Sequence, residues 1–318
     1  MKTMKAVRIH NYGGREALAY EDAPMPEVGQ GEVLVRVAAS SVNPFDWAAR
    51  SGYVAEYYPY SFPLTLGLDV SGVIESVGSS PNGFKPGDAV YGRANPAMNG
   101  AYAEYISLPI SQIAHKPRSL DHQQAASVPH VASSAWRVLV DVAGITVGQT
   151  VLIQGAAGGV GTMAVQLAKL RGATVIATAS ANHVDYVRSL GADEVIDHNA
   201  TRFEDVVHDV DLVLDLVGDM GDGTQGRSWQ VLKPGGLLAS LAQFPSPATA
   251  AEHGVRSAFV SADVCDTPLL TEIGRLIDAG KLHTSVASVH PLADTRRAHE
   301  QSESRHVRGK IVLKVADL

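Results

Sequence analysis

The chain has a single cysteine, Cys265, among 318 residues. One thiol excludes an intrachain disulfide and any cysteine-rich zinc cluster, and leaves Cys265 as a small buried or edge residue. No uninterrupted apolar run approaches the ~18 residues needed to cross a bilayer. The start of the chain, with strand-like Lys5–Ile9, shows no charged-then-apolar leader, so a cytoplasmic protein with no membrane partner is expected. Positive charge is not in excess either: the net charge is -7 and no window clusters Lys and Arg, which argues against a nucleic-acid partner. The 12 histidines contain no His-Glu-x-x-His pair, and His10, His115 and His122 read as solvated or hydrogen-bonded residues. Internal repeats and low-complexity segments are absent.

What the chain does have is the run Gly155-Ala156-Ala157-Gly158-Gly159-Val160-Gly161, between apolar Val151–Ile153 and helix-patterned Met163–Leu170. Glycines there lie where a strand turns into a helix. Gly158 would let the backbone approach a pyrophosphate, and Gly161 would let the helix pack close to its strand. The helix N-terminus offers free N–H groups to the phosphates. The fingerprint register is Ala156-x-Gly158-x-x-Gly161, with Ala in place of the first Gly. Strand-like Thr174–Ala177 completes strand, loop, helix and strand in about thirty residues, which separates this run from an ordinary glycine turn.

An acidic residue about 20 positions past the glycines would bond the ribose of NAD and repel the extra phosphate of NADP. The chain reads Thr178-Ala179-Ser180-Ala181-Asn182-His183, with no carboxylate before Asp185. NADPH is favoured. With no Arg or Lys in that stretch, Ser180, Asn182, His183 and His198 are the candidate donors to its 2'-phosphate. Val217, at the end of the strand-like run Asp211–Val217, completes the candidate cofactor site. Asp211 and Asp215 read as structural.

The length allows two domains. Residues 1–125 carry short strands (33–37, 70–77, 89–91, 101–106) punctuated by Gly and Pro, which predicts a barrel-like unit. Gly72 within its strand marks a bulge or bend. Residues 126–263 alternate strands and helices, which predicts an α/β doubly wound parallel sheet. Residues 264–318 carry helices over 269–279 and 295–302, and a last strand, Gly309–Val315, expected to return to the first domain.

Several motifs together resemble one family along nearly the whole chain: Ser41–Asp46, Gly67–Ile74, Phe84–Val90, Gly100–Tyr105, the glycine loop, Leu190–Asp197 and Leu232–Gly236. The chain is identified as similar to the medium-chain dehydrogenase/reductase superfamily, in its zinc-independent quinone oxidoreductase branch. The resemblance implies a GroES-like β-barrel catalytic domain, an inserted Rossmann domain, hydride transfer in a cleft between them, and a homodimer joined partly through an edge of the Rossmann sheet. Zinc-dependent relatives place Cys at Asn43 and Gly-His-Glu at Gly67-Leu68-Asp69, so no metal is expected. The implied catalytic set is Asn43, Asp46, Tyr53 and Ser134, with Tyr57, Tyr58 and Tyr60 as an aromatic wall. Two positions depart from the pattern: Ala48 stands where bacterial quinone reductases carry a Tyr, and His198 replaces a Tyr near the 2'-phosphate. The implied activity is NADPH-dependent hydride transfer to quinones or to activated alkenes (enals and enones). The alternatives are an enoyl reductase of a biosynthetic pathway and a catalytically silent NADPH-binding sensor.

Overall fold

In chain order, β1 (Thr3–Ile9), β2 (Ala19–Pro24) and the long β3 (Glu32–Val42) lead into α1 (Pro44–Arg50). Then come β4 (Leu64–Thr65), β5 (Asp69–Val77), β6 (Ala89–Arg93), β7 (Tyr105–Pro109) and β8 (Ile113–His115), followed by α2 (His122–Ala126) and α3 (Pro129–Trp136). The alternating segment is β9 (Thr150–Gln154), α4 (Gly159–Leu170), β10 (Thr174–Ala179), α5 (Val184–Ser189), β11 (Glu194–Asp197), β12 (Val210–Asp215), α6 (Thr224–Ser228), β13 (Leu232–Ser240), α7 (Pro247–Glu252) and β14 (Arg256–Phe259). The chain ends with α8 (Thr267–Asp278), β15 (Val286–Pro291), α9 (Thr295–Glu303) and β16 (Lys310–Lys314). This is a computed structural model, and it describes residues 2–79, 83–219, 221–261 and 265–318. The expected boundary at 263/264 lies outside the described residues.

Contacts divide the chain into a first unit, Met1–His130 with Cys265–Gly280 and Thr284–Leu318, and a second, Val131–Val264 with Lys281–His283. The division thus falls at His130/Val131, where 125/126 was expected. The first unit keeps α2 because that helix packs on β3 and β5.

In the first unit, β3 is the central strand. It pairs antiparallel with β5 on one side, and with β7 and then β16 along the other. The return of the last strand follows the sequence expectation. Register shifts at Leu34/Val35 and Val37/Ala39 bend β3. Gly72 of β5 faces the second bend, where a Cβ would lie 2.1 Å from the Arg36 carbonyl oxygen, so only glycine fits. Alternate residues of the bent sheet (Val33, Val35, Val37, Ile74, Val90, Leu108, Ile113) fill one core, as period-2 patterning requires. A smaller sheet, β2-β1-β4, adds a second core of Val7, Ile9, Leu64, Leu66 and Tyr102. The expected strand over 101–106 is corrected: β7 begins only at Tyr105. The N–H groups of Gly100, Ala101 and Tyr102 go to the carbonyls of Thr65, Gly67 and Leu66, so this run braces the 65–67 loop rather than joining a ladder.

The second unit is one parallel sheet in the order β11-β10-β9-β12-β13-β14. Counted from β9 this is 3-2-1-4-5-6, the doubly wound order expected from the alternation. The run through Val217 also ends early. Asp215 is fully buried, and its Oδ1 accepts from the N–H groups of Val217 at 3.0 Å and Gly218 at 2.8 Å, turning the chain out of the sheet.

Candidate functional site

The glycine loop joins β9 to α4, at the point where the strand order reverses. Gly155 has φ +73° and makes the sharp exit from the strand. A Cβ on Gly161 would lie 2.5 Å from the Gly155 oxygen and 2.6 Å from the Ala156 Cα, so glycine is what lets α4 press against the loop. Gly158 is different. Its φ of −73° and ψ of 176° suit any residue, and a Cβ there would meet only the Gly155 oxygen, at 3.4 Å. Nothing within the fold requires glycine at 158. The space above it opens onto the first turn of α4, whose leading N–H groups have no partner within the helix. A pyrophosphate fits that cradle on both counts.

The 2'-phosphate candidates gather at the same end of the sheet. β10 and β11 run parallel with Ala179 opposite Asp197, so Ser180 and His198 follow from neighbouring strand ends. The Ser180 hydroxyl and His183 Nδ1 are 3.3 Å apart, and Asn182 and His198 are exposed. Asp185, the first carboxylate after the strand, is fully exposed at its side chain and faces Arg188 at 3.4 Å. A contact not anticipated from sequence steadies this corner: the Tyr186 hydroxyl of α5 bonds Thr162 Oγ1 of α4 at 2.9 Å. Val217 lies 40% exposed on the turn that Asp215 holds.

In the first unit, the chain after β3 builds a buried polar cluster. Asp69 is fully buried and accepts from Ser41 Oγ at 2.6 Å, Asn43 Nδ2 at 2.9 Å and the His130 N–H at 2.7 Å; Lys310 Nζ lies 3.3 Å away. Burial alone would raise the Asp69 carboxyl, but Lys310, His130, Ser41 and Asn43 together hold it below the usual range. Burial lowers Lys310 in turn. The Lys310 ammonium also donates to Asn43 Oδ1 and to the Val42 carbonyl.

Asn43 caps α1, and its N–H donates to Asp46 Oδ2 at 2.7 Å. Asp46 accepts the Tyr102 hydroxyl at 2.9 Å as well, yet burial lifts its carboxyl to about 7. Asp46 lines a small recess of ≈ 10 Å³, room for about one water, whose other walls include Phe45, Ala49, Tyr60, Leu66 and Leu68. Tyr60 stacks at 6.2 Å on Tyr58, which meets Phe45 edge-on at 5.5 Å.

The structure therefore brings Asn43 and Asp46 together, and gives Tyr60 and Tyr58 a wall beside them. Tyr53 is 76% exposed on the turn after α1. Ser134 is buried on α3, in the second unit. Sequence reasoning missed Lys310 and the anchoring role of Asp69. The available signal was a cation within the apolar strand Lys310-Ile311-Val312-Leu313. Among the described residues, no group of three or more His, Cys, Asp or Glu could hold a metal ion. Where zinc ligands would stand are Leu68, which is apolar, and Asn43, whose amide is already committed to a carboxylate and an ammonium; this donor set does not fit zinc.

A parallel sheet in the 3-2-1-4-5-6 order, with an open glycine cradle at its switch point and an antiparallel β unit beside it in the chain, is the architecture of a dinucleotide-binding protein. Comparison with known proteins places it further. Residues 29–118 match the family described as alcohol dehydrogenase GroES-like domain, and residues 190–313 the family described as zinc-binding dehydrogenase. The chain is 35% identical to the human mitochondrial NAD(P)H oxidoreductase RTN4IP1, over 98% of this chain and 89% of that protein. It is 34% identical to the chloroplastic NADPH-dependent alkenal/one oxidoreductase of Arabidopsis thaliana, over 98% of this chain and 80% of that protein. The structure of the quinone oxidoreductase from Coxiella burnetii superimposes with a TM-score of 0.90 at 34% identity, covering 99% of this chain and 100% of that one. The chain belongs to the medium-chain dehydrogenase/reductase superfamily, in its zinc-independent quinone oxidoreductase branch.

Proposed function

We propose that this protein is an NADPH-dependent reductase that transfers hydride to quinones or to the β-carbon of enals and enones. The observation that carries the reading is the cradle at Gly158: a glycine that neither backbone conformation nor packing requires, set at a helix N-terminus. Bound NADPH supplies the hydride. The residues from Gly155 to Gly161 hold its pyrophosphate, and Val217 borders it. Ser180, Asn182, His183 and His198 offer neutral or protonatable donors to the 2'-phosphate, with no carboxylate to repel it.

Each turnover takes NADPH, one proton and the acceptor to NADP and the reduced acceptor. In an enal the hydride forms a C–H bond at the β-carbon, the π electrons move to oxygen, and a proton then enters at the α-carbon. The oxyanion needs hydrogen-bond donors rather than a metal. Asp46, with its carboxyl at about 7 and a wall of the recess, is assigned the proton, and Asn43 orients it. Ser134 keeps the place close to the nicotinamide that the family resemblance gives it, and Tyr53 its part in the aromatic wall with phenolic donors.

The reading includes a homodimer formed through β14. That strand pairs only with β13 among the described residues, and the exposed rings of Phe244 and Phe259 stack beside it at 3.9 Å. It also includes a cytoplasmic location, in keeping with a single cysteine, although the human and Arabidopsis relatives are named mitochondrial and chloroplastic. The direct test follows NADPH and NADH absorbance with an ortho-quinone, a short enal and a saturated ketone, with and without a chelator. Chelator-resistant oxidation of NADPH by the quinone or the enal, with the ketone inert, is expected. Turnover of the ketone alone, or loss of activity to the chelator, refutes the reading.

A further inference from the structure

The recess that Asp46 lines is too small for the acceptor. Its ≈ 10 Å³ takes about one water, and even a short enal is several times larger than that. Asp46 is itself only 1% exposed. A proton held there therefore needs an intermediary to reach the acceptor.

The contacts of the carboxyl group say which oxygen hands the proton over. Oδ2 accepts from the Asn43 N–H at 2.7 Å and from the Tyr102 hydroxyl at 2.9 Å. With both donors on Oδ2, the proton of the neutral acid sits on Oδ1, which bonds no other group among the described residues. The Tyr60 hydroxyl bonds none either, although its ring is stacked on Tyr58 at 6.2 Å. Tyr60 lines the same recess and is half-buried where Asp46 is buried. Burial, and after it Tyr58 and the Asp46 charge, raise its phenol above the usual range. Asp46 and Tyr60 are thus near enough for charge to be felt between them, yet they form no hydrogen bond. A polar pair parted in this way, on the walls of a space the size of one water, is bridged by a water. Thr65, a third wall residue, brings a hydroxyl that has no bond to the protein among the described residues.

We propose that the recess binds one ordered water between Asp46 Oδ1 and the Tyr60 hydroxyl, and that Tyr60 passes the proton on to the acceptor. This rests on the reductase reading above and assigns the proton path of that site. As the Oδ1–H bond breaks, the water takes that proton and gives one of its own to the Tyr60 oxygen, which releases its hydroxyl proton to the α-carbon of the enolate. Asp46 ends as the carboxylate, and a solvent proton restores it along the same path. Tyr60 receives one proton as it gives another, so a weakly acidic phenol is no obstacle.

The test reduces (E)-2-methylbut-2-enal with NADPH in deuterium oxide and traps the aldehyde with borohydride, so that the α-carbon keeps a record of the face from which it was protonated. The wild type should give one α-configuration in excess. Tyr60→Phe keeps the ring and removes the hydroxyl. Its kcat should fall about 100-fold, the lower range of what a positioned proton donor contributes, with KM little changed. The α-preference should vanish with it, because bulk water then protonates the released enolate, and Asp46→Asn should lose the same preference. A lower kcat with the α-preference intact would make Tyr60 a packing residue, and an unchanged Tyr60→Phe would place the proton path elsewhere. Either result, or a wild type without α-preference, overturns the proposal. A crystal structure of the wild type adds a check that no variant's folding affects: a water within ~3.2 Å of both oxygens supports the site, and its absence overturns it. If no acceptor consumes NADPH, the reductase reading fails by itself, and that water still decides the site.

Discussion

Two glycines three residues apart, Gly158 and Gly161, should respond to the same substitution in opposite ways. At Gly161 a methyl group would sit 2.5–2.7 Å from the Gly155 oxygen and from the Ala156 Cα and carbonyl carbon. All three are backbone atoms and none can rotate away. Ordinary carbon contacts lie near 3.5–4.0 Å, so the overlap is about 1 Å at each, and relief requires lifting α4 off its loop. Overpacking of this kind costs about 1–3 kcal/mol or more. At Gly158 the same methyl meets one atom at 3.4 Å, with a backbone conformation that alanine adopts freely. Its effect on stability should stay within about 1 kcal/mol, the scale of an N-cap change. Yet that methyl occupies the space assigned to the pyrophosphate. Paired urea melts and NADPH titrations of Gly158→Ala and Gly161→Ala check this. Gly158→Ala should melt like the wild type and bind NADPH at least about tenfold more weakly, ~1.4 kcal/mol. Gly161→Ala should lose stability first. Unchanged NADPH affinity in a folded Gly158→Ala would refute the cradle, and an unchanged melt of Gly161→Ala would refute the close approach.

Two further outcomes concern the buried cluster. The Asp46 carboxyl titrates near 7 in the fold, above the unfolded value near 3.9, so between those pH values the folded state holds a proton that the unfolded chain has lost. Stability is then full below about pH 4 and falls by up to ~4 kcal/mol as pH rises through 7. Asp46→Asn can still accept from Asn43 and Tyr102 but removes that slope. Its melting temperature relative to the wild type should rise from pH 5 to pH 8, and a constant difference would contradict the assignment. Lys310→Met strands the fully buried Asp69 carboxylate and should cost about 3–5 kcal/mol in urea melts. Adding Asp69→Asn should recover part of that loss; a double variant no more stable than the single one would show that the pair is not coupled.

The second unit was legible because its signals are local. An apolar run, a glycine turn and an amphipathic segment each act over neighbouring residues, and the parallel sheet follows from their alternation. The loop at Gly155–Gly161, the Ser180 corner and the return of β16 were read from spacing and patterning alone. Errors fell where tertiary contact overrides local pattern. The 101–106 run looks like a strand, but its first N–H groups are drawn off by the 65–67 loop. Asp211–Val217 looks continuous, but a buried carboxylate at Asp215 ends it. In the first unit, Asp69 and Lys310 are 241 positions apart, so only the folded chain shows that they meet.

The central claim is that hydride passes from the nicotinamide to a carbon of an activated alkene without metal assistance. The most direct measurement uses NADPH deuterated at the transferable C4 position, a short enal and a chelator, and locates deuterium in the product by NMR. The account predicts deuterium on the β-carbon of a saturated aldehyde, with solvent hydrogen at the α-carbon and an undiminished rate in the chelator. Deuterium on the carbonyl carbon of an alcohol, or a rate that the chelator abolishes, would contradict it.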